Sequence, residues 1–197
     1  MTDTGRAHDI ARWLLEEPLP RRWAHVQGVA NTARTLAPVL GRNTDLMTAA
    51  ALLHDIGYAP SLADSGFHPL DGARYLRDVE HTDPMLCRLV AHHSCAIIEA
   101  EERGLADVLA REFKPAPRNL ADALIYCDLT TGPDGQRMTI EQRLADIRDR
   151  YGPTDLVSRA LARSTPQLEA ATGRVARKLS ARAVMPRPVT LAATVTF

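Results

Sequence analysis

Residues 44–57, TDLMTAAALLHDIG, constrain the fold more than any other stretch of the chain. Consecutive alanines inside an apolar helical run let neighbouring helices approach from several sides, so this segment is expected to be the central helix of an all-α protein. The run then ends on His54 and Asp55, where its own pattern asks for more core. A carboxylate at the inner end of such a helix is costly to bury unless a cation or a metal ion meets it. Other parts of the chain must supply what meets it.

The surrounding sequence is helical in character. Ala, Leu, Arg and Glu dominate, aromatic residues make up only 5%, and β-branched runs are scarce, which leaves little material for a sheet. The 197 residues suffice for one well-buried domain, expected over residues 1–183 with its core at about 20–155. A first helix is predicted at 6–17, stopped by the prolines of PLP. The second covers RRWAHVQGVANTARTLAPVL, residues 21–40, with Trp23, Val26, Ala30, Ala33 and Ala37 on its apolar face and His25 beside that stripe. The central helix starts after GRNTD, with Asn43 or Thr44 as its N-cap, and stops at Gly57 and Pro60. Further helices are expected at about 69–79, 84–94 and 118–130, with one or two short peripheral helices within 96–113. A final antiparallel helical pair is expected at about 139–183, offering a surface for a homodimer. Residues 184–197 break the pattern with two prolines and are expected to be disordered or loosely docked.

Charge excludes some partners. The 24 basic and 24 acidic residues give a formal net charge of zero, so no global field draws the chain to a nucleic-acid polymer or an anionic membrane. No segment approaches the roughly 18 apolar residues of a membrane span, and the first residues lack the pattern of a secretory signal; a cytoplasmic location is expected. Cys87, Cys95 and Cys127 form no CxxC pair and read as reduced, mostly buried small groups.

Metal-compatible side chains recur where apolar patterns would otherwise continue: His25, His54 with Asp55, His92 or His93, and Asp128 in ALIYCDLTTG. His68, which opens HPLDGARYL, is a further candidate. Imidazole together with carboxylate suits a divalent ion such as Mn, Fe, Ni, Co, Zn or Mg. A second HDI, at His8 to Ile10, has no apolar lead-in and reads as a surface coincidence.

The ordered set His25, then HD at 54 and 55, then Asp128 resembles the HD-domain superfamily of metal-dependent phosphohydrolases, in its small single-domain bacterial form, over about residues 20–155. The resemblance implies a helical bundle around a central metal site, with His25, His54, Asp55 and Asp128 as ligands of one ion. In the members that build a two-metal site, extra histidines fall between the doublet and the last aspartate. His68 and the AHHS pair match those places, and similarity to the bacterial diadenosine tetraphosphate hydrolases of the superfamily points to His93 as the inner residue. Arg21 stands where three-metal members carry a glutamate, Tyr58 replaces a lysine that often follows HDIG, and the HDxxED and GYP signatures are absent.

The implied activity is cleavage of a small phosphate ester or nucleotide by a metal-activated water, with Asp55 in the catalytic machinery and Arg22 and Arg74 as candidate phosphate-facing cations. Two other readings stay open: a di-iron oxygenase of the same architecture, and a non-catalytic module that binds metal or ligand. The loop TTGPDGQR is either a plain turn or part of the site's mouth.

Overall fold

The computed structural model describes residues 3–184, so the expectation for the C-terminal tail falls, apart from Val184, outside the described residues. Every regular element is helical: α1 (Thr4–Leu15), α2 (Pro20–Thr35), α3 (Ala37–Leu40), α4 (Thr44–Leu53), α5 (His68–Asp78), α6 (Pro84–Ala91), α7 (Ala96–Glu102), α8 (Ala106–Glu112), α9 (Arg118–Leu129), α10 (Ile140–Tyr151) and α11 (Leu156–Val184). Among the described residues there is no strand, and one isolated bridge joins Thr131 to Arg137. The all-α architecture matches the expectation from composition. No helix of the described residues is long and apolar enough to cross a membrane.

The centre of the bundle is α4, which packs against α1, α2, α6 and α9. Every residue from Met47 to Leu53 is buried, and Ala49, Ala50 and Ala51 are wholly inaccessible. Small side chains on all sides allow this, while Leu52 and Leu53 each contribute about 1.5–3 kcal/mol by leaving water. Asn43 holds the N-cap position of α4 as expected, but its side chain makes no capping hydrogen bond: a 3-10 turn, Gly41–Asn43, leads straight into the helix, and the Thr44 hydroxyl donates back to the Gly41 carbonyl.

Two departures from the sequence pattern have local causes. The helix expected at 21–40 breaks at Leu36, because Pro38 lacks the amide that would continue the ladder and its ring crowds the preceding turn. The helix expected at 84–94 ends at Ala91 and gives way to a tight turn in which Ser94 and Cys95 both take positive φ, 50° and 60°. Such backbone costs of order 1–3 kcal/mol per residue and persists only where its surroundings hold it. Its effect is to separate the two histidines of AHHS: His93 turns inward, and His92 donates from Nε2 to the Phe113 carbonyl. Finally, α11 runs unbroken through Pro166 for 29 residues and contacts α3, α7, α9 and α10, so it lies across the bundle as well as beside α10.

Two glycines permit close approaches at the site. A Cβ on Gly57, which follows HDI, would lie 2.0 Å from the His68 carbonyl oxygen, so only glycine lets the start of α5 reach the end of α4. A Cβ on Gly28 would lie 2.4 Å from the Gly135 carbonyl oxygen, and its absence lets the loop after α9 settle onto α2. Asp71 completes the arrangement from the first turn of α5, accepting from the Ser65 hydroxyl at 2.7 Å and the Ser65 amide at 3.1 Å, which ties down the loop ahead of His68.

Candidate metal centre

Six side chains from five parts of the chain converge at the end of α4. His25 comes from α2, His54 and Asp55 from the turn closing α4, His68 from the first position of α5, His93 from the kink after α6, and Asp128 from the last turn of α9. They divide into two groups whose ligand atoms lie within 4.8 Å of one another: His25, His54 and Asp128, and Asp55, His68 and His93. All are buried except His68, which is half-buried.

Asp55 joins the two groups. Its Oδ2 faces the first, 3.5 Å from His54 Nε2 and 3.9 Å from His25 Nε2. Its Oδ1 faces the second, 3.4 Å from His68 Nε2 and 3.7 Å from His93 Nε2. Asp128 Oδ1 lies 3.1 Å from His25 Nε2 and 4.0 Å from His54 Nε2.

The histidines are oriented from behind. Nδ1 of His25 donates to the Gly132 carbonyl at 2.9 Å, that of His54 to Ala51 at 2.8 Å, and that of His93 to Val90 at 2.7 Å. A carbonyl can only accept, so each Nδ1 carries the hydrogen, and in a neutral ring Nε2 then presents a bare lone pair to the centre. The loop TTGPDGQR therefore acts through its backbone, as the rest on which His25 leans. His54 Nε2 is buried without a hydrogen-bond partner among the described residues. A buried lone pair left this way is costly, and its neighbours are acceptors or other imidazoles.

Electrostatics favours the ligating forms. Burial opposes charge on Asp55, but Arg22 and the surrounding histidines outweigh it and hold the carboxyl well below the usual range. Burial likewise opposes charge on Asp128, and its polar surroundings, His25 and Arg143 among them, again bring it well below that range. Burial pushes His68 and His93 downward, leaving neutral rings. Two atoms each about 2.1 Å from one ion stand roughly 3.0–3.4 Å apart. The spacings here, 3.1 to 4.0 Å, are close to that, so the donor set fits divalent metal.

Arg22 reaches the cluster from the first turn of α2. Its Nη1 donates to Asp55 Oδ2 at 2.6 Å, and its guanidinium sits 4.0 Å over the Tyr58 ring, whose other face stacks on His68 at 3.8 Å. Tyr58, standing in the place of the expected lysine, thus fixes an arginine and a candidate ligand at once. Arg74 requires a correction. Six residues after His68 it has turned about 240° round α5, and it forks onto Glu112 with Nε at 3.1 Å, away from the cluster. His8, on α1, packs against Trp23 of α2 and takes no part.

Above the cluster opens a cavity of about 110 Å³. Arg22, Tyr58 and Arg143 border it on one side, and Val157, Leu161 and Leu168 of α11 form an apolar wall. Cys95 lies at its edge with a thiol that burial pushes up to about 11, which leaves it unreactive as a nucleophile. Two contributors escape a reading of the sequence. Ser94 donates its hydroxyl to Asp128 Oδ2, a contact that depends on its unusual backbone. Arg143 sits on the apolar stripe of α10, and that misplacement was the available signal.

The family profile described as HD domain matches residues 22–153, well over half of the chain. The chain belongs to the HD domain family. That family is one of metal-dependent phosphohydrolases, and the match takes in all six converging residues while leaving α11 outside. Part of the chain is also similar to two proteins named Ribonuclease Y. That of Rubrobacter xylanophilus is 36% identical over 86 residues, 44% of this chain and 16% of the relative. That of Fervidobacterium nodosum is 39% identical over 70 residues, 36% of this chain and 14% of the relative. The matches thus span about a sixth or less of those longer proteins. No solved structure is significantly similar to the chain.

Proposed function

We propose that this HD domain hydrolyses the phosphate ester or anhydride bond of a small phosphorylated substrate, with nucleotides in that class. The observation that carries the reading is the division of six ligating side chains into two groups that share Asp55, one oxygen to each, on the floor of a cavity. His25, His54, Asp128 and Asp55 Oδ2 would hold one divalent ion, and His68, His93 and Asp55 Oδ1 a second. Ions so held supply a water that ionises near neutral pH and polarise the phosphoryl oxygens.

The chain's own residues do the rest. Burial works against the charge on Arg22, but the adjacent Asp55 more than restores it, so a fixed cation faces the phosphoryl group. Carbonyls behind three imidazoles keep the ring positions from relaxing. The apolar wall from α11 shields the reacting group from bulk water and receives the organic part of a small ester.

The cavity volume and the formal net charge of zero favour a small substrate over a polymer. The relatives named Ribonuclease Y support a second reading, cleavage of an RNA phosphodiester. Protein loaded with Mn(II) is to be assayed on phosphomonoesters, cyclic nucleotides, dinucleoside polyphosphates and a short single-stranded RNA, with oxygen uptake recorded alongside. Release of phosphate or nucleotide from a small ester, with RNA left intact, is the expected result. Cleavage of RNA alone would replace the first reading with the second, and inertness on the whole panel at full metal occupancy would overturn both.

A further inference from the structure

Arg143 occupies a place that its helix assigns to the core. Ile140, Leu144 and Ile147 form an apolar stripe on α10, and position 143 falls within it at i+3 from Ile140. The residue is only 4% exposed. A guanidinium taken out of water needs its donors matched, and here they are matched only in part. Nη1 donates to Asp146 at 2.9 Å, Nη2 stops 3.8 Å from Asp128 Oδ1, and the buried Nε has no hydrogen-bond partner among the described residues.

The placement of those spare donors is informative. Arg143 borders the cavity above the cluster and also an adjoining cleft of about 150 Å³, and Arg22 and Arg150 border both as well. Three guanidiniums therefore ring one space beside Asp128. Asp146 serves two of them, accepting from Arg150 at 2.6 Å as well as from Arg143, so these two guanidiniums share one hydrogen-bonded carboxylate. An ordinary structural arginine would have its fork closed by carboxylates or carbonyls; this one is hydrogen-bonded through Nη1 alone, with Nη2 lying beside Asp128.

We propose that Arg143 is a phosphate-binding residue, whose Nη2, free of a hydrogen bond, holds a non-reacting oxygen of the substrate's phosphoryl group between Arg22 and Arg150. The inference rests on the phosphohydrolase reading and assigns within it a group that the helical pattern alone would place in the core. A guanidinium donor suits a phosphate oxygen, in a monoester and a diester alike.

The test is binding of inorganic phosphate to Mn(II)-loaded protein by calorimetry, with metal content and melting temperature measured on the same samples. Arg143→Gln is expected to weaken phosphate about tenfold or more while leaving metal content unchanged. Arg143→Lys keeps charge and stem but loses the fork, so it should fall in between, and Arg148→Gln, on the exposed side of α10, should match the unaltered protein. Should Arg143→Gln fail to fold, Arg143→Lys decides: unaltered phosphate affinity in a folded, metal-replete lysine variant overturns the proposal. Unaltered protein that takes up no metal refutes the underlying reading and this inference with it. Full metal uptake with phosphate affinity indifferent to position 143 refutes this inference alone.

Discussion

Asp55→Asn is expected to empty both halves of the site at once. The amide keeps the shape of the side chain but replaces one oxygen with a nitrogen that cannot ligate, and it removes the charge both halves use. Because Oδ2 faces His25 and His54 while Oδ1 faces His68 and His93, a single substitution acts on both groups. Loss of a partner that merely orients a ligand already costs about tenfold to a hundredfold in metal affinity, so loss of a shared ligand should exceed about a hundredfold. His68→Gln, by contrast, touches one group only and should halve the metal content. Elemental analysis of both variants distinguishes these outcomes. Two ions retained by Asp55→Asn, or both lost by His68→Gln, would show that the halves are not joined through this carboxylate.

Removing the metal is expected to cost much of the protein's thermal stability without abolishing its fold. Without an ion the cluster holds two carboxylates and four imidazoles in a buried space, compensated by Arg22 on Asp55 and by the contact of His25 with Asp128, with the His54 lone pair unmet. Those partial compensations let the bundle close around α4. A ligand bound only by the folded state at a thousand times its Kd adds about 4 kcal/mol. For a chain of this size each kcal/mol moves the melting temperature by about 2–4 °C, so a drop of about 10 °C on chelation is expected. Calorimetry with EDTA, followed by Mn(II) in excess, measures it. An unchanged midpoint would mean that the cluster is a satisfied polar core.

The convergence at α4 was legible because its physics is local to the sequence. Alanines at positions 49–51 announce a helix packed on several sides, and an aspartate at its end announces a required partner. His25 and Asp128 could be recognised because each interrupts an apolar pattern of its own helix. Backbone geometry was not legible in the same way. Nothing in HHSC marks Ser94 and Cys95 for positive φ, since neither is glycine, so the turn that brings His93 inward and Ser94 to Asp128 emerges only from tertiary packing. Pro38 was visible, but an apolar stripe reaching Ala37 competes with it on paper.

The arginines teach a sharper lesson. Arg74 shares a helix with His68, yet co-membership says nothing about facing, and a turn of about 240° sends it to Glu112. Arg143 belongs to a helix far along the chain from the HD doublet, yet its position on an apolar stripe was the stronger signal. A charged residue where packing asks for an apolar one is more informative than a charged residue near a motif.

The central claim is that two adjoining groups sharing Asp55 each hold a divalent ion. Anomalous diffraction from crystals of the Mn(II)-loaded protein tests it most directly. Two peaks are expected, one among His25, His54, Asp128 and Asp55 Oδ2, the other among His68, His93 and Asp55 Oδ1. A peak elsewhere in the molecule with none at Asp55, or a single peak that leaves His68 and His93 uncoordinated, would contradict the account.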